Sequence, residues 1–182
     1  MHFLPNACFD VFLNPGEYYF GDRDTRIRTL LGSCVAITLW HRARRIGGMC
    51  HYVLPERAER DGEEPSGRYG ADAIEALLSE ARSCGTRIAD YEFKLFGGGH
   101  MFPGIDTPAL AMIGDRNIEF ARRQLELLGA RVVAEHCGGT GHRSLVFDVW
   151  SGDVWMRYQE GTQETEARIR SGNKLCRKKS VS

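Results

Sequence analysis

Two apolar runs, residues 29–40 and 46–55, stand either side of a short polar stretch, His41-Arg42-Ala43-Arg44-Arg45. Nothing else in the sequence restricts the fold as strongly. Two such runs joined by a loop of hairpin length predict a pair of antiparallel strands. With residues 41–44 as the loop, Cys34 stands directly opposite His51. Directly opposite residues point to one face, with Cβ atoms about 5 Å apart. A thiol and an imidazole at that distance can share a proton, as a Cys–His nucleophile requires. A one-residue slip of register would send the two side chains to opposite faces.

The remaining elements follow from turn signals and periodicity. Asn14-Pro15-Gly16 marks a turn, and Glu17-Tyr18-Tyr19-Phe20 reads as a first strand. Residues 56–67 are charged, carry Gly and Pro, and read as a solvated loop. Ile74, Leu77, Leu78 and Ala81 recur at helical spacing and predict a helix over 71–84, stopped by Gly85. Residues 91–96 alternate and enter Gly97-Gly98-Gly99, a strand running into a glycine loop. A second helix is expected over 116–128, with Asp115 as N-cap and Ile118, Ala121, Leu125 and Leu128 as its apolar stripe. Residues 131–135 read as a strand, and 144–150 with 153–158 as a hairpin around Ser151-Gly152. From Gln159 the chain is polar, with Lys174, Arg177, Lys178 and Lys179 near its end. The expectation is an α+β fold: one layered domain over 1–158, helices packed on a mostly antiparallel sheet, and a flexible polar tail over 159–182.

Composition narrows the function. A chain of 182 residues suits one domain with a real core. Lysine plus arginine equals aspartate plus glutamate, at 24 each, which argues against a general nucleic-acid binder. No apolar run approaches the ~18 residues of a membrane span, and the first residues lack the pattern of a secretory signal. A cytoplasmic location is expected. The six cysteines form no CxxC pair, so zinc-ribbon and thioredoxin-type signatures are missing.

The candidate chemistry gathers at Cys34. Gly32-Ser33 precede it, and backbone N–H groups there can point at a developing oxyanion. A charged His51 beside the thiol would lower its pKa. Thr29 or Ser33 can orient the imidazole as the third member of a triad. Cys50 neighbours His51 in sequence but points to the other face of the strand. The plain alternative is a buried thiol beside a hydrogen-bonded core histidine. Gly97-Gly98-Gly99-His100 lacks the lysine and following helix of a phosphate loop. His100, His136, Cys137 and His142 show no metal-ligand spacing. Neither a metal nor an organic cofactor is expected.

The stretches Leu31-Gly32-Ser33-Cys34-Val35-Ala36-Ile37 and Gly47-Gly48-Met49-Cys50-His51-Tyr52-Val53-Leu54-Pro55 strongly resemble the chemoreceptor glutamine deamidase family, CheD. The likeness continues through Arg68-Tyr69-Gly70-Ala71-Asp72, Phe96-Gly97-Gly98-Gly99-His100-Met101-Phe102, Ile113-Gly114-Asp115-Arg116-Asn117-Ile118 and Gly138-Gly139 with Arg143. It spans residues 15–158. The resemblance implies a layered enzyme that deamidates glutamines on the cytoplasmic helices of bacterial chemoreceptors. It implies Cys34 as nucleophile, His51 as general base and acid, and Thr29 as orienting residue. It also implies a CheC-type phosphatase as a second partner. Two other readings remain at this point: another Cys–His amidase acting on small molecules, or a non-catalytic module that holds a phosphatase or receptor.

Overall fold

The apolar run over residues 29–40 is not one strand. In the computed structural model, which describes residues 7–57, 64–100, 112–160, 163–169 and 176–178, the run breaks at Gly32-Ser33-Cys34. The described elements succeed one another as β1 (Phe9–Leu13), β2 (Tyr18–Gly21), β3 (Thr25–Leu31), β4 (Val35–His41), β5 (Ile46–Tyr52), α1 (Gly70–Ser83), a 3-10 turn (Ile88–Asp90), β6 (Tyr91–Gly97), α2 (Ile113–Leu127), β7 (Arg131–Cys137), β8 (His142–Asp148), β9 (Asp153–Glu160), β10 (Gln163–Ile169) and β11 (Cys176–Lys178). The strands form two sheets, β1-β3-β8-β9-β10-β11 and β2-β5-β4-β6-β7. β1–β3 and β6–β7 pair in parallel, and the other ladders are antiparallel.

Burial patterns explain why one apolar run serves two sheets. β3 alternates, with Thr25, Ile27, Thr29 and Leu31 buried and Arg28 and Leu30 exposed. It therefore has one covered face. β4 is buried on both faces from Val35 to Trp40, as a continuous apolar strand must be. Val35, Ile37 and Leu39 pack with Ile74, Leu77 and Leu78 of α1 and with Ile118, Ala121 and Leu125 of α2. Ala36 and Trp40 pack against Ile27, Leu31, Leu145 and Phe147 of the other sheet. The molecule thus has three layers: the six-stranded sheet, the five-stranded sheet and the helices. Each fully buried Leu or Ile in these cores contributes about 1.5–3 kcal/mol.

The hairpin forms with a different register. His41 pairs with Ile46, so the loop is 42–45 and His51 faces Ala36. The His41 carbonyl accepts the Arg45 N–H at 2.8 Å, and Arg45 turns the chain at φ +51°. Cys34 therefore lies two positions before the residue opposite His51. Both residues still lie on the side of the sheet that faces the other sheet: Cys34 packs against the core between the sheets, and His51 reaches Thr29 across it.

α1 matches its expected span to within one residue, and Gly85 follows at φ +69°. α2 begins three residues early. Its N-cap is Met112, without a side-chain cap bond, and Asp115 lies in the first turn instead, where a carboxylate suits the positive helix end. β1, which ends just before the Asn14-Pro15-Gly16 turn, and the first half of β3 are strands that the sequence reading does not include. The six-stranded sheet continues past residue 158, because β10 pairs with β9 from Gln163↔Glu160 to Ile169↔Val154 and β11 pairs with β10. Ladder bonds come from the backbone, so a polar strand gives no apolar signal. Residues 58–63 of the charged loop and Met101-Phe102 lie outside the described residues. Among the described residues, no helix is long and apolar enough to cross a membrane.

Candidate active site

Cys34 sits at the corner where the chain leaves one sheet for the other. It is half-buried and packs against the core between the sheets. The glycine loop after β6 fixes this corner from outside. The Gly98 N–H donates to the Cys34 carbonyl and the Gly99 N–H to the Gly32 carbonyl, both at 2.8 Å. Gly97 takes φ +116°, and a Cβ there would overlap the Cys34 carbonyl oxygen. Only glycine permits that approach. A second loop backs the first, with Gly138 N–H donating to the Gly97 carbonyl at 2.9 Å and His100 N–H to the Gly139 carbonyl at 2.8 Å. Beneath both lies Arg143, only 1% exposed. Its Nε donates to His136 Nδ1 at 2.9 Å and its Nη2 to the Gly138 carbonyl.

His51 enters from β5 and is 1% exposed. Its backbone is pinned by the turn before β2: its N–H donates to the Glu17 carbonyl, and its carbonyl accepts the Gly16 N–H. Its Nδ1 lies 2.8 Å from Thr29 Oγ1, reaching from one sheet to the other. Thr29 Oγ1 also lies 2.9 Å from the Leu13 carbonyl, to which it donates. A hydroxyl has one proton. With that proton on Leu13, Nδ1 must carry hydrogen and donate to Thr29. The network therefore assigns the tautomer with an unprotonated Nε2. Nε2 is buried and has no hydrogen-bond partner. Thr29, rather than Ser33, holds the ring.

No hydrogen bond joins Cys34 to His51, and the thiol's expected depression in pKa is reversed. Burial pushes the Cys34 thiol up. Burial also pushes His51 down to about 4, against smaller opposing effects from the Leu13 carbonyl and Glu17. Desolvation disfavours both charged forms, so the resting pair is neutral thiol and neutral imidazole. Cys50 faces the helices opposite Ile37, fully buried, its thiol pushed up to about 12 by burial. It shares no face with His51.

His136 and His100, two of the other histidines, are engaged elsewhere. His136 accepts from Arg143, and His100 Nε2 lies 3.4 Å from Asp115. Among the described residues, no group of three or more His, Cys, Asp or Glu is placed to hold a metal ion. Sequence reasoning gave no role to Asn117 or Arg143. Asn117 is fully buried on α2, and its Nδ2 donates to the Ser33 carbonyl at 3.1 Å and the Val53 carbonyl at 2.8 Å. The available signal was a polar residue on the apolar stripe of a helix, one position before Ile118.

Comparison with known proteins gives consistent matches. The family described as CheD chemotactic sensory transduction matches residues 53–158. A protein of Dechloromonas aromatica named probable chemoreceptor glutamine deamidase CheD 3 is 47% identical over 173 residues, covering 95% of this chain and 99% of its own. A probable chemoreceptor glutamine deamidase CheD of Pseudomonas syringae is 47% identical over 156 residues, 85% of this chain and 88% of its own. One from Thermococcus kodakarensis, similarly named, is 38% identical over 159 residues, 87% of this chain and 98% of its own.

Proposed function

This chain belongs to the CheD family, and from that premise we propose that it hydrolyses glutamine side chains of chemoreceptors to glutamate, with Cys34 as nucleophile. The observation that carries the mechanism is the Thr29–His51 hydrogen bond, which leaves a buried, unprotonated Nε2 on the face of the sheet that Cys34 shares. Because the resting pair is neutral, His51 acts as a true general base. Nε2 takes the thiol proton as sulfur attacks the amide carbon. The carbonyl oxygen becomes an oxyanion, held by N–H groups of the Gly32–Ser33–Cys34 corner. Imidazolium then returns its proton to the leaving nitrogen, ammonia departs, and a thioester remains. His51 next draws a proton from water, hydroxide attacks the thioester, and glutamate and free thiol form. The net change is glutamine plus water to glutamate plus ammonia. Thr29 holds the ring throughout.

The substrate would be a helix of the receptor's cytoplasmic region, and the enzyme would work in the cytoplasm. A CheC-type phosphatase is the second partner this reading implies. The test is mass spectrometry of a chemoreceptor cytoplasmic fragment incubated with the protein. Each modified glutamine gains about 1 Da, the mark of hydrolysis through a thioester. Cys34→Ala should abolish the gain, while Cys50→Ala should keep it. Equal loss in both, with unchanged circular dichroism, would remove Cys34 from its role. Turnover of free glutamine in place of the receptor would instead favour a small-molecule amidase.

A further inference from the structure

We infer that Asn117 is a positioning residue for this reaction, an amide clamp that sets the nucleophile's corner against the strand of the base. The inference rests on the proposed deamidase chemistry. Ser33 directly precedes Cys34, and Val53 follows His51 by two residues. One side-chain nitrogen binds the carbonyls of both, at 3.1 and 2.8 Å. Ser33 and Cys34 lie just before β4 and Val53 just beyond β5, so both carbonyls stand past the last pair of that ladder, Val35↔Tyr52, where the two segments are free to splay. Asn117 supplies that link from a third layer, the helix.

The chemistry of the contact requires an amide. Two carbonyl oxygens face the side chain, and among uncharged side chains only an amide NH₂ offers two hydrogens from one atom. A flipped amide would set oxygen against oxygen, so the orientation is fixed by its partners. Asn117 Oδ1 is buried without a hydrogen-bond partner. The side chain is thus held for its donors alone, at the expense of an unmet acceptor. The residue is itself fastened. Tyr52, the neighbour of His51, donates its hydroxyl to the Asn117 backbone carbonyl at 2.7 Å. Three residues earlier Gly114 packs so closely on Gly98 that a Cβ would meet the Gly98 carbonyl at 2.6 Å. The first turns of α2 therefore bear on both sides of the Cys34 corner. Asn117 does not touch the thiol or the ring. It acts through backbone, by holding attacking sulfur and Nε2 in mutual reach, where a displacement of about 1 Å can cost on the order of a hundredfold in rate.

Asn117→Asp and Asn117→Ala test this. Aspartate keeps the shape and replaces the two donors with acceptors, and alanine removes them without adding charge. Both should lower kcat on a receptor fragment by about tenfold or more with KM little changed. Aspartate flanked by two carbonyls is driven towards its protonated form, which restores one donor. Its activity relative to wild type, measured at the same pH, should therefore rise as pH falls, and that of alanine should not. The rate at which iodoacetamide labels Cys34 gives a second readout that needs no receptor: a loosened corner uncovers the half-buried thiol, so both variants should raise it. Wild-type kcat in the alanine variant would reduce any aspartate effect to charge and overturn the clamp. A change confined to KM, or unfolding of both variants by circular dichroism, would also overturn it. If wild type leaves the receptor unmodified while both variants still raise Cys34 labelling, the clamp stands and the deamidase reading falls.

Discussion

Thr29 decides which nitrogen of His51 is a base. Its single proton goes to the Leu13 carbonyl, so its oxygen can only accept from Nδ1. Thr29→Val keeps the volume and deletes the hydroxyl. The ring then loses its tautomer preference, and Nδ1 is left buried without a partner. A positioned base contributes about 10²–10⁴-fold to such reactions, so kcat on a receptor fragment should fall on the order of ten- to a hundredfold. Thr29→Ser should recover most of it. Unchanged kcat in the valine variant would mean that the ring is held by its backbone alone. The same residue scale settles the thiol. Imidazolium is scarce above the His51 pKa of about 4, so it cannot hold a thiolate at neutral pH in the free protein. Labelling of Cys34 by iodoacetamide should climb through and beyond the ordinary thiol range near ~8.5. Peptide mapping across that range would show it, and labelling that persists into mild acid would instead require a preformed thiolate–imidazolium pair.

At the scale of elements, the glycine loop after β6 is the part of the site with least tolerance. A Cβ on Gly97 would strike the Cys34 carbonyl oxygen, at a φ of +116° that side chains rarely adopt. Gly97→Ala should destabilise the fold by on the order of 2 kcal/mol or more and reduce activity, because the corner must move. Gly85→Ala is the matched control, left-handed at φ +69° with nothing within 4 Å. It should cost about 1 kcal/mol and leave activity intact. Urea unfolding and deamidation rates measure both, and equal costs would mean that contact with the corner is unimportant. The loop's glycines were plain in the sequence, but what they press on was not. The hairpin was legible from its apolar runs, and its loop was misplaced because Arg45 adopts φ +51° without a glycine or asparagine to mark it. Cys34 and His51 nevertheless lie on the side of the sheet that faces the other sheet. The boundary between β3 and β4 was hidden inside one apolar run. The change from alternating burial in Thr25–Leu31 to continuous burial from Val35 carried the information.

At the scale of the whole molecule, the site exists because two sheets meet there, and contacts between sheets leave no local trace in a sequence. Thr29 and His51 bridge them, as do Trp40 Nε1 with the Val149 carbonyl at 2.7 Å and Lys94 Nζ with the Gly152 carbonyl at 2.5 Å. The partners in the latter two bonds are separated by 109 and 58 residues. Burying His51 in this seam has a consequence for stability. In the unfolded chain the imidazole takes up a proton near its ordinary pKa of about 6.5. In the fold, burial holds it neutral down to about 4. Between those values the unfolded state binds more protons, so stability is lost as pH falls through the window. The full loss approaches about 3 kcal/mol and levels off below the folded pKa. His51→Gln removes the titration and keeps a side chain able to donate to Thr29. Titrating groups away from His51 are common to both proteins and cancel in the difference. Urea unfolding of the two between about pH 5 and pH 7.5 should therefore give curves that converge towards acid, with wild type falling faster. Parallel curves would mean that His51 accepts its proton in the folded state near its ordinary pKa, so that the imidazole near Cys34 becomes charged already in mild acid.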